Sequence, residues 1–564
     1  MYTLLLCLKY LFKRRMAYLA MAVVALVVFM LVIAVSVMNG FLWKVEDAAK
    51  GLFGDIVIEA DQGGIGYYDE FIAEITPGPD GSGGVEGVQA AAPFILSMGV
   101  LQVDGVRELV QIAGVRLPQA ADVTDFEGGL HFQGSRDRPT FDPPIDLLIE
   151  GLEAEIEKLR NQYAQLQSEA QADEFTIEKY EIAIIRQQNA LSRLRNARQY
   201  VDELNRVAAA LDEAYRQSDG AETVETIELG EQLEDLQIAS GYMPRDFHLI
   251  LGAGIRSLIG RTSDGETIRM VVPGDKVTLL VAPLGEQLSM TDVSPNRGVF
   301  TVIDDNRSDV HSIDSSFVYV PFETLQRLNN MGARYAPPPE GQGGRGPMVR
   351  PARANQIQVK VTEGLADDEL ALRDVARRIR QKWVEFSRTR NTGAAASALS
   401  VQTWRERQRA VIEPIESQRT LVAIMWGTMY LVCVCIVVAI LYTIVMHKTR
   451  DIGVLKAIGA SSWSVTQLFL MYSAAIAAVG AVLGVILGWL MVRNINPIHD
   501  WAAQSMGLEI WSAESFLFEH IPNQVDWFSV VWIVAGAVLS CLAGASVPAL
   551  LAARMQPVRA LRYE

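Results

Sequence analysis

The sequence predicts a membrane protein with four transmembrane α-helices, arranged one plus three, and a large extracytoplasmic α+β domain that carries a helical coiled-coil insertion. Three observations predict it. Four long charge-free apolar runs interrupt the 564 residues. Basic residues gather on one side of those runs. A 380-residue polar region between the first and second run mixes strand-like patterns with one long Glu/Gln/Lys/Arg-rich stretch.

Composition sets the frame. Hydrophobic residues make up 50% of the chain and charged residues 21%. Apolar spans alternating with polar domains account for both values, and a single soluble domain does not. The net charge of −16 argues against a nucleic-acid partner, which needs a basic stripe. Of the four cysteines, Cys433, Cys435 and Cys541 fall inside apolar runs and Cys7 just before one. The outer region therefore folds without disulfides, and with no Cys/His cluster a structural zinc site is excluded.

The apolar runs are 16–38, 420–446, 464–492 and 527–553. Each is long enough for a bilayer, which takes about 20 residues, and a charge at mid-bilayer costs roughly 2.5–3.5 kcal/mol. The first run is too long for a signal-peptide core of about 7–15 residues, so it reads as an uncleaved anchor. Lys9, Lys13, Arg14 and Arg15 precede the first run, His447, Lys448, Arg450 and Lys456 follow the second, and Arg554, Arg559 and Arg562 follow the fourth. The loop after the third run carries Asp500, Glu509, Glu514, Glu519 and Asp526. The positive-inside rule then makes 1–15, 447–463 and 554–564 cytoplasmic, and 40–149, 150–217, 218–419 and 493–526 extracytoplasmic. Gly480, Gly484 and Gly488 in the third run, and Gly536, Ser540 and Gly544 in the fourth, recur every four residues. Such small-residue stripes permit close helix packing, within one subunit or across a dimer.

In the outer region, residues 55–60, 100–116, 268–282, 298–303 and 316–321 read as strands from their β-branched content. Residues 77–84, 337–351 and 391–398 read as breaks, and 366–390 and 401–419 as helices. Residues 150–217 differ. Ile156, Leu159, Tyr163, Leu166 and Ala170, then Ile177, Tyr180, Ile184, Leu191, Leu194 and Val201, follow a three-four spacing broken by Asp173, Gln187 and Arg198. That pattern predicts a coiled coil or a long helical hairpin, turning near 171–176. It either packs back on its domain or projects as an arm toward a partner.

Catalytic chemistry is not legible. The chain lacks G-x-x-x-x-G-K-[ST], G-x-S-x-G and H-E-x-x-H, and its six histidines are scattered. The spans hold no ionisable residue, which disfavours an ion-coupled transporter. The informative segment is cytoplasmic. Ile452, Leu455 and Ile458, spaced by three, predict one apolar face, with Arg450, Asp451 and Lys456 available for charged contacts and Gly453 and Gly459 punctuating the segment. It either transmits force from a partner into the spans or anchors on lipid headgroups.

The run KTRDIGVLKAIGAS from Lys448 to Ser461 resembles the signature of the FtsX/MacB/lipoprotein-releasing ABC permease superfamily, with Asp451 in place of the usual Glu. The ending PVRALRYE from Pro557 resembles that superfamily's tail. The runs SVMNGF from Ser36, DSSFVYVP from Asp314 and TWRER from Thr403, with Tyr10-Leu11, are similar to the lipoprotein-releasing (LolC/LolE) branch.

The resemblance implies Porter-like and Sabre-like parts in the outer domain. It also implies an assembly in which two permease subunits, identical or different, meet two copies of a cytoplasmic ABC ATPase. The chain itself would be non-catalytic and bind no cofactor, with ATP and Mg held by the ATPase. Residues 449–460 would be the coupling helix. The setting implied is the bacterial inner membrane, and the cargo a lipoprotein lifted from its outer leaflet. Two other functions fit the superfamily: a MacB-like efflux permease that docks an adaptor, and an FtsX-like regulator of a cell-wall hydrolase. The 150–217 insertion departs from the lipoprotein-releasing branch.

Overall fold

The computed structural model describes residues 15–554, apart from 61–63, 79–82, 125, 135–137, 169–173, 219–222, 256–257, 262–266, 284–294, 309, 336–347, 367, 391–398, 448–451, 453, 455, 507–510 and 512–520. The chain divides into two compact units, residues 1–46, 410–512 and 520–564 in one and 47–409 and 513–519 in the other. The principal helices are α1 (Arg15–Phe53), α2 (Tyr68–Ile75), α3 (Ile145–Ser168), α4 (Glu174–Ala197), α5 (Val201–Gln217), α6 (Val224–Ser240), α7 (Glu369–Arg390), α8 (Trp404–Arg407), α9 (Arg409–His447), α10 (Ser462–Arg493), α11 (Ile495–Met506) and α12 (Trp527–Arg554). The main sheet is built from β1 (Ile56–Ala60), β2 (Val88–Val103), β3 (Val106–Val115), β4 (His248–Gly252), β5 (Lys276–Val281), β6 (Asn296–Asn306), β7 (Phe317–Pro321), β8 (Gln356–Val361) and β9 (Leu399–Thr403).

The first unit holds the four membrane spans, Ala17–Val45, Ala423–His447, Ser462–Arg493 and Trp527–Arg554. Their inner faces form one core that includes Val24, Val28, Leu31, Cys433, Val437, Ala477, Ala537 and Cys541. Their outer faces show Ile424, Leu431, Leu487, Val531 and Leu539, the all-round apolarity of a membrane span. Helix α1 runs past the expected exit at Met38. Gly40 does not end it: a side-chain carbon there would lie 2.9 Å from Pro522 Cβ, so this glycine admits the segment that leads into α12. The loop before α12 contains helix α11, tied back by Asn496, which exchanges hydrogen bonds with the Ile521 backbone at 2.9 and 3.1 Å.

In the second unit the sheet order is β9-β1-β8-β2-β3-β7-β4-β6-β5, and β5 also pairs with β2. Six strands thus close on themselves, and β2 is long enough to carry both the closed part and the β9-β1-β8 extension. The β7–β3 and β4–β6 pairings are parallel and the rest antiparallel. Asp104 and Gly105, both at positive φ, make the two-residue turn between β2 and β3. That geometry matches the right-handed twist of the flanking strands. The expected strand at 268–282 is interrupted. Residues 267–269 pair with 259–261, and β5 starts only at Lys276, beyond Gly274 at φ 92°.

The helical insertion is longer than 150–217. It begins at Ile145 and ends at Ser240, as two helix pairs, α3 with α4 and α5 with α6. The Arg195–Glu153 and Arg198–Asp146 ion pairs, at 2.7 and 2.9 Å, make α3 and α4 antiparallel. The 150–217 boundaries fail because the Ser218–Thr223 stretch breaks the pattern, and Thr223 then opens a new helix through a capping box with Thr226. The root of the insertion packs back on the sheet: Leu148, Leu152, Ile156, Leu191 and Leu194 share a core with Phe94, Ile250, Ile303 and Tyr319. Further out, Leu159, Tyr180 and Ala183 close over Ile268. Gln187, out of pattern in the sequence, is fully buried and donates to the Arg269 carbonyl at 3.3 Å.

Residues 401–403 are also corrected, from helix to strand. They belong to β9, which pairs with β1, and the helix starts one residue later because Thr403 and Glu406 form a capping box. Helix α7 packs Trp383 and Phe386 on Phe71 of α2, with ring centroids 4.9 and 5.3 Å apart. The break at 391–398 and most of 337–351 lie outside the described residues.

Candidate functional site

Two features of the first unit hold the residues singled out in the sequence: the segment between α9 and α10, and the glycine stripes on α10 and α12. Of the segment, Arg450, Asp451, Gly453 and Leu455 lie outside the described residues. What is described has two sides. Ile452 is only 3% exposed and joins the core of the spans. Lys456 donates from Nζ to the carbonyl of Ala553, and Ser462 Oγ donates to the same carbonyl at 2.9 Å. A helix leaves its last carbonyls without intrahelical partners, so these two donors cap the end of α12. Gly459, at φ 106°, reverses the chain, and Ser461 caps α10 by accepting from Ser464 N at 3.1 Å.

The other side is apolar and open. Val454, Ile458 and Trp463 are 43%, 80% and 70% exposed. The face expected from Ile452, Leu455 and Ile458 is therefore not shared by its two described members. Six residues apart on a helix, they point about 120° away from each other; Ile452 turns into the spans and Ile458 out of them. Sequence spacing alone missed Val454 and Trp463, although a tryptophan just after a helix cap, at the edge of an apolar run, was a readable signal.

The glycine stripes meet neighbouring helices. A side-chain carbon at Gly480, Gly484 or Gly488 would lie 2.8, 2.7 or 2.9 Å from the Cβ of Val24, Val28 or Val32 of α1. The numbers rise together, so α1 and α10 run parallel, as the first and third spans must. Gly536 meets the Tyr430 ring at 2.9 Å and Gly544 the Val434 carbonyl at 3.0 Å, both on α9. Ser540, between them, is half-buried. Lipid tails are as apolar as the spans themselves, so association rests on this close fit and not on hydrophobic burial.

The matched sequence covers the last three spans of this unit and not the first. Residues 423–557 match the family model described as FtsX-like permease C-terminal. The chain carries an FtsX-like permease domain. This permease is 22% identical over 322 residues to the lipoprotein-releasing system transmembrane protein LolC of Neisseria meningitidis, covering 57% of the chain and 66% of that protein. It is 23% identical over 163 residues to LolE of Haemophilus influenzae, covering 29% and 39%. It is 30% identical over 120 residues to the macrolide export ATP-binding/permease protein MacB of Chlorobaculum tepidum, covering 21% and 15%. The permease thus spans less than two thirds of the length of these curated relatives. Among solved structures, the periplasmic region of MacB from Actinobacillus actinomycetemcomitans aligns over 64% of this chain and 93% of its own, at 10% identity and a TM-score of 0.22. These sequence likenesses are all to ABC transporter permeases, and the family model locates the shared part in residues 423–557.

Proposed function

We propose that this permease is the membrane subunit of an ATP-driven mechanotransmission complex that extracts lipoproteins from the outer leaflet of the bacterial inner membrane. In this reading the termini and the 447–463 segment are cytoplasmic and the second unit is periplasmic. Two copies of a separate ATPase hydrolyse ATP with Mg, and a second permease subunit completes the complex.

The observation that carries the reading is the two-sided segment. Val454, Ile458 and Trp463 offer an apolar surface to a soluble partner, while Ile452 and the Lys456–Ala553 hydrogen bond tie the same segment to the spans. A push on the exposed side reaches α12 through the Lys456–Ala553 hydrogen bond and the packed core around Ile452. The likeness to LolC and LolE supports the cargo class.

Affinity purification of the detergent-solubilised permease, with mass spectrometry of what accompanies it, tests this. An ATPase together with acylated proteins is the expected result. An ATPase with a periplasmic adaptor and no lipoprotein would replace the cargo assignment with MacB-like efflux, a reading favoured by the 30% match to MacB. An ATPase with a cell-wall hydrolase would replace it with an FtsX-like regulatory role.

A further inference from the structure

A cavity of about 410 Å³ lies in the second unit where α4 crosses the closed part of the sheet. Sites for small ligands run to roughly 300–1,000 Å³. Three cationic side chains line it, Arg186, Arg193 and Lys276, together with Asn189. Arg186, Asn189 and Arg193 stand three and four residues apart, so one stripe of α4 presents them together. Lys276 comes from the first position of β5.

Two carboxylates share the cavity and both are engaged. Arg186 Nη2 donates to Asp104 Oδ2 at 2.6 Å. Arg193 pairs with Asp275 and donates through Nε to the Gly274 carbonyl at 3.2 Å. Two arginine charges are matched in this way and one cation is left over. Among the described residues Lys276 has no counter-ion and Asn189 no hydrogen-bond partner. Partial desolvation at the cavity wall and the like charge of Arg193 hold the Lys276 amine below its ordinary range; an anion in the cavity would reverse that.

We propose that this cavity binds a phosphate-bearing group, with Lys276 supplying the uncompensated charge and Asn189 and the N–H groups of Arg186 and Arg193 left over from their bonds to Asp104, Met270, Asp275 and Gly274 supplying donors. Guanidinium groups fixed by carboxylate partners are pre-organised for phosphate oxygens. The occupant touches the helical insertion on one wall and the sheet on the other, so binding draws the two together. The inference does not depend on the cargo assignment.

The test is isothermal titration of the full-length detergent-solubilised chain with inorganic phosphate and with glycerol 3-phosphate, at ionic strength held constant with sodium chloride. Saturable binding is expected, weakened tenfold or more by Lys276→Gln and severalfold by Asn189→Ala. Both residues are exposed, so neither substitution threatens the fold. Tighter binding of the ester identifies a headgroup-like phosphate ester as the occupant, and tighter binding of the ion identifies free phosphate. No saturable binding of either ligand, or unchanged affinity in Lys276→Gln, overturns the proposal.

Discussion

Lys456 and Ala553, 97 positions apart in sequence, are joined by a hydrogen bond from the lysine Nζ to the backbone carbonyl at the end of α12. Ser462 donates to the same oxygen. The segment after the second span and the end of the fourth span therefore share one polar anchor. A single hydrogen bond contributes about 0.5–1.5 kcal/mol net, and an unmade buried one costs about 1–3 kcal/mol. Lys456→Met or Ser462→Ala alone should lower the thermal unfolding midpoint slightly, because the other donor remains. The double variant should lose more than the sum, and a double-mutant cycle on the detergent-solubilised protein measures the excess.

The exposed side of the segment makes a separate prediction. Ile458→Asp combined with Trp463→Ala should leave membrane insertion and unfolding midpoint unchanged, since both side chains face outward. Co-purification with the ATPase should fall at least tenfold. Normal recovery of the ATPase would show that docking lies elsewhere.

Gly484 is the tightest point of the α1–α10 contact, where a side-chain carbon would lie 2.6 Å from the Ala25 carbonyl and 2.7 Å from Val28 Cβ. Gly484→Leu should destabilise the spans by about 1–3 kcal/mol or more through overpacking. Gly427 has open space around it. Gly427→Ala should be neutral or stabilising by up to about 1 kcal/mol, as expected for glycine replaced within a helix. Unfolding midpoints of the two variants should therefore move apart.

Buried titratable groups make the second unit pH-sensitive. Asp304 accepts from the backbone N–H groups of His131, Phe132, Gln133 and Asp305 at 2.8–3.1 Å. Burial outweighs these donors and pushes its carboxyl up to about 7, against about 3.9 when unfolded. The folded state then holds more protons between those values, so this group's stabilisation is present below about pH 4 and is lost as pH rises through about 7. His248 opposes it. Burial lowers its imidazole, although Phe141 and Met243 carbonyls lie 2.6 and 3.0 Å from its two ring nitrogens. The stabilisation from His248 is present above about 6.5 and is lost as pH falls through its folded value. Asp304→Asn should flatten the loss on the alkaline side and His248→Gln the loss on the acid side. Unfolding midpoints followed from pH 5 to 8 check both.

Much of this architecture was legible in the residues because it depends on local properties. A charge-free run long enough for a bilayer is read against a fixed external thickness, so Ser464–Val492 and Trp527–Ala553 fell within a residue or two of the helices that form. The strand read at 55–60 forms over Ile56–Ala60, and the helix read at 366–390 forms over Glu369–Arg390. The glycine spacing announced close packing but could not name its partners. Residues 401–403 carry a helix-compatible pattern, and only pairing with β1 makes them a strand.

The sequence by itself determined where the chain leaves water and which segments can form helices, because each short window bears the cost of burial or exposure alone. The tertiary structure decided which side of each segment is used. Ile452 and Ile458 are chemically alike, yet one is buried among the spans and the other is open. The neighbours that separate them, such as Ala553 and the core of α12, arrive from about a hundred residues away. The root of the helical insertion likewise became part of the domain core through contacts with sheet residues distant in sequence, such as Phe94, Ile250 and Tyr319. Packing is set by all elements together, so no single stretch of residues can specify it.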